Sequence, residues 1–345
     1  TAIAHILQAL ATGRDYDHPV LEQPGWWRRP ERMFYPPAPG CSYARVNLAE
    51  TEISSAIASG LDARVRPLVI TGATGTLGSA FARLCDIRAI PYQLVTRQDM
   101  DIADPVSVDR VLTELNPWAV VNAAGYVRVD DAEHEQDACW RENTDGPATL
   151  AMLCAQHGVA LLTFSSDLVF DGAGSIPYVE SNLVSPLNVY GRSKAKAEIR
   201  VLEALPSALV VRASAFFGPW DEHNFVTVAL RQLAAGQTFV AAEDAIVSPT
   251  YIPDLVNASL DLLIDGEYGV WHLANPSAIA WSDLAQMSAK LAGVDACRLE
   301  ARPTQELGLA AARPSYSVLG SERGVLLPPL EDALSRYLHE GKILS

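Results

Sequence analysis

Leu68-Val69-Ile70 runs without interruption into Thr71-Gly72-Ala73-Thr74-Gly75-Thr76-Leu77-Gly78, and this junction constrains the fold more than any other stretch of the 345 residues. A short apolar, β-branched run suits a buried parallel strand. Residues 77–85 behind the glycines read as a helix. Glycines at 72, 75 and 78 permit a tight turn and close approach of backbone to a phosphate, and the helix N-terminus behind them offers unpaired N–H groups and a positive dipole end. The spacing is G-x-x-G-x-x-G. The G-x-G-x-x-G dinucleotide fingerprint therefore does not apply literally, and an ordinary strand-to-helix turn stays open for this segment alone.

The alternation continues. Residues 93–96 read as a second strand, 106–115 as a helix after Pro105, and 119–122 as a third strand ending in Ala123-Ala124-Gly125. A long helical region spans 131–157, with strands at 160–164 and 208–211. Strands alternating with helices predict an α/β fold, a doubly wound parallel sheet covered on both faces. Ligands on such sheets sit beyond the carboxyl ends of the strands, where Gly72, Arg97, Ala123 to Gly125 and Ser165-Ser166 converge. Arg97 follows the second strand, where a dinucleotide's adenosine ribose lands. Arginine there favours a 2′-phosphate and hence NADP(H); Asp99 and Asp101 nearby keep NAD(H) open.

Tyr190 and Lys194 stand four residues apart in Tyr190-Gly191-Arg192-Ser193-Lys194. On a helix both side chains share one face. An ammonium beside a phenol favours the phenolate, which predicts a lowered tyrosine pKa and an acid or base usable at neutral pH. Alone, the pair equally describes a solvated helical face; together with the glycine turn it points to redox chemistry.

Several further stretches follow in order: Asn122-Ala123-Ala124-Gly125-Tyr126 with Val129-Asp130 and Ala132-Glu133, Ser165-Ser166-Asp167-Leu168-Val169-Phe170-Asp171-Gly172, Pro186 to Lys194, Asn224-Phe225-Val226, Ser248-Pro249-Thr250 and Arg313-Pro314. With Thr71 to Gly78 they resemble an extended short-chain dehydrogenase/reductase, and within it the dTDP-4-dehydrorhamnose reductase family, over about residues 67–340. The resemblance implies a Rossmann-type NAD(P)-binding sheet with a smaller C-terminal α/β lobe for a nucleotide sugar. It implies catalytic roles for Tyr190 as proton donor to the substrate carbonyl, Lys194 on the nicotinamide ribose, and Ser166 on the same carbonyl, where the family usually has threonine. Gly72, Thr74, Gly75, Thr76, Leu77 and Gly78 would cradle the pyrophosphate. Ala123, Ala124 and Gly125 would line the cofactor path, and Arg97, Asp101 and Ile102 complete the cofactor-binding set. Val129, Asp167, Ala215 and Asn224 would face the substrate.

The chain also departs from the family pattern. Leu168 replaces a tyrosine, Ala215 replaces a tryptophan expected to pack on the sugar, and Asp244-Ala245-Ile246-Val247-Ser248-Pro249-Thr250 replaces Asp-Gln-x-Gly-Ser-Pro-Thr. An NADP(H)-dependent 4-keto nucleotide-sugar reductase with an altered sugar pocket fits best. A non-catalytic NADP-binding regulatory subunit on the same fold and a sugar epimerase are the alternatives.

A net charge of −15 argues against nucleic acid or an anionic membrane surface as partner. The five scattered cysteines suit reduced thiols in the cytoplasm, and the seven histidines form no metal-binding spacing. The C-terminal third reads as amphipathic helices at 225–234, 252–265 and 280–292 and a short strand at 270–273. Trp271 and His272 read as core, Trp220 and Asn224 as loop residues near substrate. Three regions follow: an extension over 1–65, an NAD(P)-binding domain over 66–212, and a mainly substrate-binding lobe over 213–345 with segments returning to the first domain. Within 1–65, Gly25-Trp26-Trp27-Arg28-Arg29-Pro30 reads as an aromatic strap or the tail of a fused upstream domain. A homodimer is left open.

Overall fold

The computed structural model describes residues 66–219 and 221–340. The readings made for residues 1–65 and for Trp220 lie outside the described residues. Strand β1 (Leu68–Thr71) is buried along its length. Helix α1 (Thr76–Arg88) follows the glycine turn and stops at Ala89, which takes a left-handed conformation. After β2 (Tyr92–Val95), α2 (Pro105–Leu115) starts where Pro105 needs no N–H partner, the Asp104 carboxylate accepting the Val106 N–H. Strand β3 (Ala119–Asn122) matches its expected bounds.

The single helix expected over 131–157 is broken. A 3₁₀ turn (Asp131–Glu133) and α3 (Gln136–Trp140) lead through a π turn (Arg141–Asp145) into α4 (Gly146–His157). Pro147 has no N–H for the carbonyl four residues back, so the ladder widens by one residue there. Gly146 leaves room for Ile102, whose Cδ1 would lie 2.6 Å from a Cβ at that position.

Strand β4 (Ala160–Ser166), helix α5 (Val189–Ala204) and β5 (Leu209–Ala213) complete the regular alternation. Beyond them come β6 (Phe216–Phe217), α6 (Phe225–Ala234), β7 (Phe239–Ala242), β8 (Ile246–Val247), β9 (Thr250–Tyr251), α7 (Ile252–Ile264), β10 (Gly269–His272), β11 (Ile279–Ala280), α8 (Trp281–Ala292), β12 (Leu299–Arg302) and α9 (Leu330–Glu340).

Among the described residues, six parallel strands form the central sheet in the order β10-β5-β4-β3-β1-β2. Chain direction across the sheet reverses between β1 and β3, and a crevice opens at their carboxyl ends. Helices α1 and α7 cover one face through Phe81, Cys85, Leu255 and Val256. Helices α2, α4 and α5 cover the other through Val111, Leu112, Leu150, Leu153 and Val201. The short strand expected near 270–273 is β10, the sixth strand of this sheet. Trp271 and His272 are buried in it. His272 Nδ1 faces the carbonyls of Gly320 (2.8 Å) and Tyr178 (3.1 Å) and so carries the proton, while its Nε2 accepts from Arg212 at 3.2 Å.

A second core gathers Phe217, Leu230, Phe239, Tyr251, Leu284 and Tyr337 from α6, β6, β7, β9, α8 and α9. Arg336 on α9 and Asp254 on α7 join the two cores through a buried bidentate pair of 2.8 and 2.7 Å, and Asn275 Nδ2 donates to the same carboxylate at 3.2 Å. Among the described residues no helix is long and apolar enough to cross a membrane. Removing Asp254 leaves the buried Arg336 to the more exposed Asp332 carboxylate at 2.9 Å, which compensates its charge less well. Asp254→Ala should therefore cost roughly 3–5 kcal/mol, read as a lower urea midpoint at unchanged slope.

Candidate active site

The glycine turn is built by contact. Gly72 has φ +74°, and a Cβ there would lie 2.6 Å from the Ala123 carbonyl oxygen. A Cβ on Gly78 would lie 2.2 Å from the Gly72 oxygen. Helix α1 thus presses on the turn, and the turn presses on the end of β3. Thr71 Oγ1 donates to Asn122 Oδ1 (2.9 Å) and accepts the Ala124 N–H (3.1 Å), while Asn122 Nδ2 donates to Thr163 Oγ1 (3.1 Å). This polar ladder ties β1, β3 and β4 together just below the crevice. Helix α1 begins at Gly75 with no side-chain cap and no acid in its first turn, so the first N–H groups of Thr76, Leu77 and Gly78 have no intrahelical acceptor.

Beside the turn lies a cavity of about 550 Å³. Leu77, Ala123 to Gly125, Val129, Ser166, Asp167, Leu168, Tyr190, Lys194 and Ala215 all line it. Helix α5 brings Tyr190 and Lys194 there: Asn188 Oδ1 caps its start by accepting the Gly191 N–H at 2.7 Å. Gly191 sits so tightly on the Leu168 carbonyl that a Cβ would fall 2.1 Å from its oxygen. Lys194 Nζ lies 5.7 Å from the Tyr190 ring centroid and donates to the Phe164 carbonyl at 3.3 Å. The Ser166 hydroxyl lines the same cavity as Tyr190, donates to Asp167 Oδ1 (3.0 Å) and accepts the Leu168 N–H (3.1 Å).

The electrostatics correct one expectation. Lys194 does not depress the Tyr190 pKa. Burial pushes the phenol well above its ordinary value, the Asp167 carboxylate adds to the rise, and the Ser166 hydrogen bond opposes it. Tyr190 is therefore a neutral phenol with a proton to give. Burial acts on Lys194 in the opposite sense, lowering it to about 8.

Two residues expected to face substrate are otherwise engaged. Asn224 is buried at the start of α6, where its Oδ1 accepts the Thr227 N–H (3.0 Å) and its Nδ2 donates to Tyr337 Oη (3.2 Å) and Thr227 Oγ1 (2.8 Å). It is a helix cap and lies off the cavity wall. The Asp167 carboxylate is taken up by Ser166, Ser214 (2.8 Å) and Ser317 (2.6 Å). Burial outweighs these hydrogen bonds and raises its pKa.

Arg97, Asp101 and Ile102 lie beyond β2, away from the cavity wall. Ile102 is buried against Gly146. Arg97 is paired with Glu142 at 2.8 Å.

The sequence reading missed Asn143. Buried in the π turn, it accepts the Tyr126 N–H (2.8 Å) and donates to the Tyr126 carbonyl (3.0 Å) and Ser193 Oγ (3.2 Å). It thereby holds the loop after β3 against α5. The only sequence signal is an Asn just ahead of Gly146-Pro147. Also missed was the clasp between Asp130 and Arg313, 2.7 Å, which joins that loop to the C-terminal segment. Ala215 stands in the left-handed region, with φ +43°.

These residues fit a dinucleotide. The turn is a cradle a Cβ would fill, the helix end above it is uncapped, and Ser165 on the cavity wall has a buried hydroxyl without a partner. A parallel sheet with this turn and a Ser-Tyr-Lys set at its carboxyl edge defines the class of nicotinamide-dependent, extended short-chain reductases. Residues 66–340 match the RmlD substrate binding domain family. The chain is 34% identical over 255 residues to a dTDP-4-keto-6-deoxy-D-glucose reductase of Streptomyces niveus, covering 74% of this chain and 88% of that protein. It is 33% identical over 314 residues to a dTDP-4-dehydrorhamnose reductase of Mycolicibacterium smegmatis, covering 90% and 89%. The crystal structure of dTDP-4-dehydrorhamnose reductase from Bacillus anthracis in complex with NADP superposes with a TM-score of 0.76 at 30% identity, covering 80% of this chain and 99% of that one. The chain belongs to the RmlD substrate binding domain family.

The Lys194 environment makes a stability prediction. Its folded pKa of about 8 lies below the ordinary 10.5, so the unfolded chain holds the extra proton between those values and stability rises with pH across that window. Below it the burial penalty is felt in full. Lys194→Met should be more stable than wild type by on the order of 1–3 kcal/mol near pH 7. That advantage should shrink toward about pH 10, measured by urea unfolding at both values.

Proposed function

We propose that this protein is an NADP(H)-dependent reductase of a 4-keto nucleotide sugar, dTDP-4-dehydrorhamnose reductase-like, acting in dTDP-rhamnose or related deoxysugar biosynthesis. The observation that carries this reading is that Ser166, Tyr190 and Lys194, from two different elements, line one cavity that reaches Leu77 at the glycine turn. Gly72 to Gly78 hold the pyrophosphate, and Ala123 to Gly125 with Ser165 and Lys194 line the path to the nicotinamide. Bound there, the reduced cofactor supplies the hydride.

Tyr190 and Ser166, its hydroxyl turned from Asp167 Oδ1 toward the cavity, hold the substrate carbonyl oxygen between them. Tyr190 gives its proton to that oxygen, and its raised pKa keeps it in the donating form at neutral pH. Asp167 orients Ser166. Lys194, on the same cavity wall, would hold the nicotinamide ribose. NADP(H) as cofactor is supported by Arg97 and by the NADP bound to the Bacillus anthracis relative. All three polar groups facing one cavity weigh against the non-catalytic alternative.

The sugar pocket differs from the family pattern. Leu168 and Ala215 line the cavity where a tyrosine and a tryptophan are expected, leaving room for a sugar bulkier at that point or for compensation by Phe216 on the same wall. The experiment is oxidation of NADPH with a panel of 4-keto dTDP-sugars, dTDP-4-dehydrorhamnose included. Turnover of none of them, with NADPH still bound, would sink the reading. Tyr190→Phe should lower turnover by about 10²–10⁴-fold while cofactor affinity stays near wild type.

Ala215→Trp combined with Leu168→Tyr should lower KM for dTDP-4-dehydrorhamnose by roughly fivefold or more, since a stacking aromatic contributes on the order of 1 kcal/mol. An unchanged KM would mean that the aromatic pair has no part in holding this sugar.

A further inference from the structure

Four charged side chains close a ring beyond the end of β2. Glu142 Oε1 accepts from Arg97 Nη2 (2.8 Å) and Arg141 Nη1 (2.6 Å); Asp101 Oδ2 accepts from Arg141 Nη2 (2.7 Å) and faces Arg97 Nε at 3.7 Å. The signs alternate and cancel. The side chains differ in freedom: Arg97 is 65% exposed and Glu142 only 17%. Glu142 sits in the π turn, the same turn whose next residue, Asn143, is buried and bonded to the loop after β3. Arg97 can swing on its flexible stem, whereas Glu142 is fixed where it stands.

In open parallel sheets the adenosine ribose of a dinucleotide lies at the end of the second strand. Arg97 stands there, so Glu142 stands there too. We infer that Glu142 sets the balance between the two nicotinamide cofactors: its carboxylate holds Arg97 away from a 2′-phosphate and repels that dianion, and it accepts from the free 2′-hydroxyl of NADH. This inference rests on the proposed use of the crevice for a dinucleotide. It makes Glu142 the counterweight to Arg97, so that NADPH is preferred by less than a lone arginine would confer. A 2′-phosphate can draw the exposed Arg97 out of the ring only against its pairing with Glu142, and the fixed negative charge of Glu142 remains beside it.

The test is fluorescence titration of the full chain with NADPH and with NADH. Glu142→Gln, nearly isosteric, should raise the ratio of NADPH to NADH affinity by about tenfold, the effect of one surface carboxylate on a neighbouring dianion. Glu142→Ala removes the charge by a different route and should shift the ratio the same way. Glu142→Asp keeps the charge and should stay within about twofold of wild type. Adding Arg97→Ala to Glu142→Gln should abolish the gain. An unchanged ratio in folded Glu142→Gln and Glu142→Ala protein, with both cofactors bound, overturns the inference. Failure of wild type to bind either cofactor removes the dinucleotide reading itself, and this inference with it.

Discussion

A buried ion pair at the back of the sheet holds the site in register. Arg212 on β5 donates two hydrogen bonds to Glu198 on α5, 2.8 and 2.6 Å long, and both side chains are about 5% exposed. Tyr190, Lys194 and Glu198 fall on one helix face at successive turns. Fixing Glu198 therefore fixes the rotation of α5 about its axis and, with it, where the phenol and the ammonium point. The same arginine lies two residues before Ser214 and three before Ala215, so the pair also sets the path of the strand end on the opposite cavity wall. Burying two charges costs several kcal/mol, recovered only through good geometry. The Phe170 ring, 5.1 Å from the guanidinium carbon, and the His272 nitrogen complete that geometry.

The protonation states follow from packing more than from charge pairing. Burial of Tyr190, with the Asp167 carboxyl adding to it, keeps the proton on the phenol, and burial loosens the proton on Lys194. Desolvation shifts an acid up and a base down, so both move toward the neutral form. That suits the proposed reduction, in which the tyrosine would arrive protonated. The reverse reaction would need this preference overcome.

Much of the fold was legible in the sequence because strands such as β1 and β3 are short apolar runs set between proline and glycine or ending in asparagine. β3 and α6 have the expected bounds. The glycine turn was legible because only glycine survives contacts such as that between Gly78 and Gly72. The π turn was not, since one extra residue in a helical ladder leaves no periodic trace beyond Pro147. Asn224 misled because an asparagine ahead of an apolar run is equally a helix cap and a polar contact, and only the position of Tyr337 decides. The Tyr-x-x-x-Lys spacing gave the right face but the wrong pKa direction. Spacing reports distance and says nothing of how much water the fold removes. Asp167 illustrates the same limit: its three serine partners come from segments 150 residues apart.

Ala215 has a consequence for how such a pocket diversifies. Its left-handed backbone costs on the order of 1–2 kcal/mol for a residue with a Cβ, a cost this chain already bears at Ala215 with a methyl group. The chain path around 215 is held by neighbours: the Thr250 N–H donates to the Ala215 carbonyl at 3.2 Å, and Ser214 is anchored on Asp167. A single codon at this position thus acts as a volume dial. On the proposed function, a change there would enlarge or fill the space for the sugar while the wall carrying Tyr190 and Lys194 keeps its place.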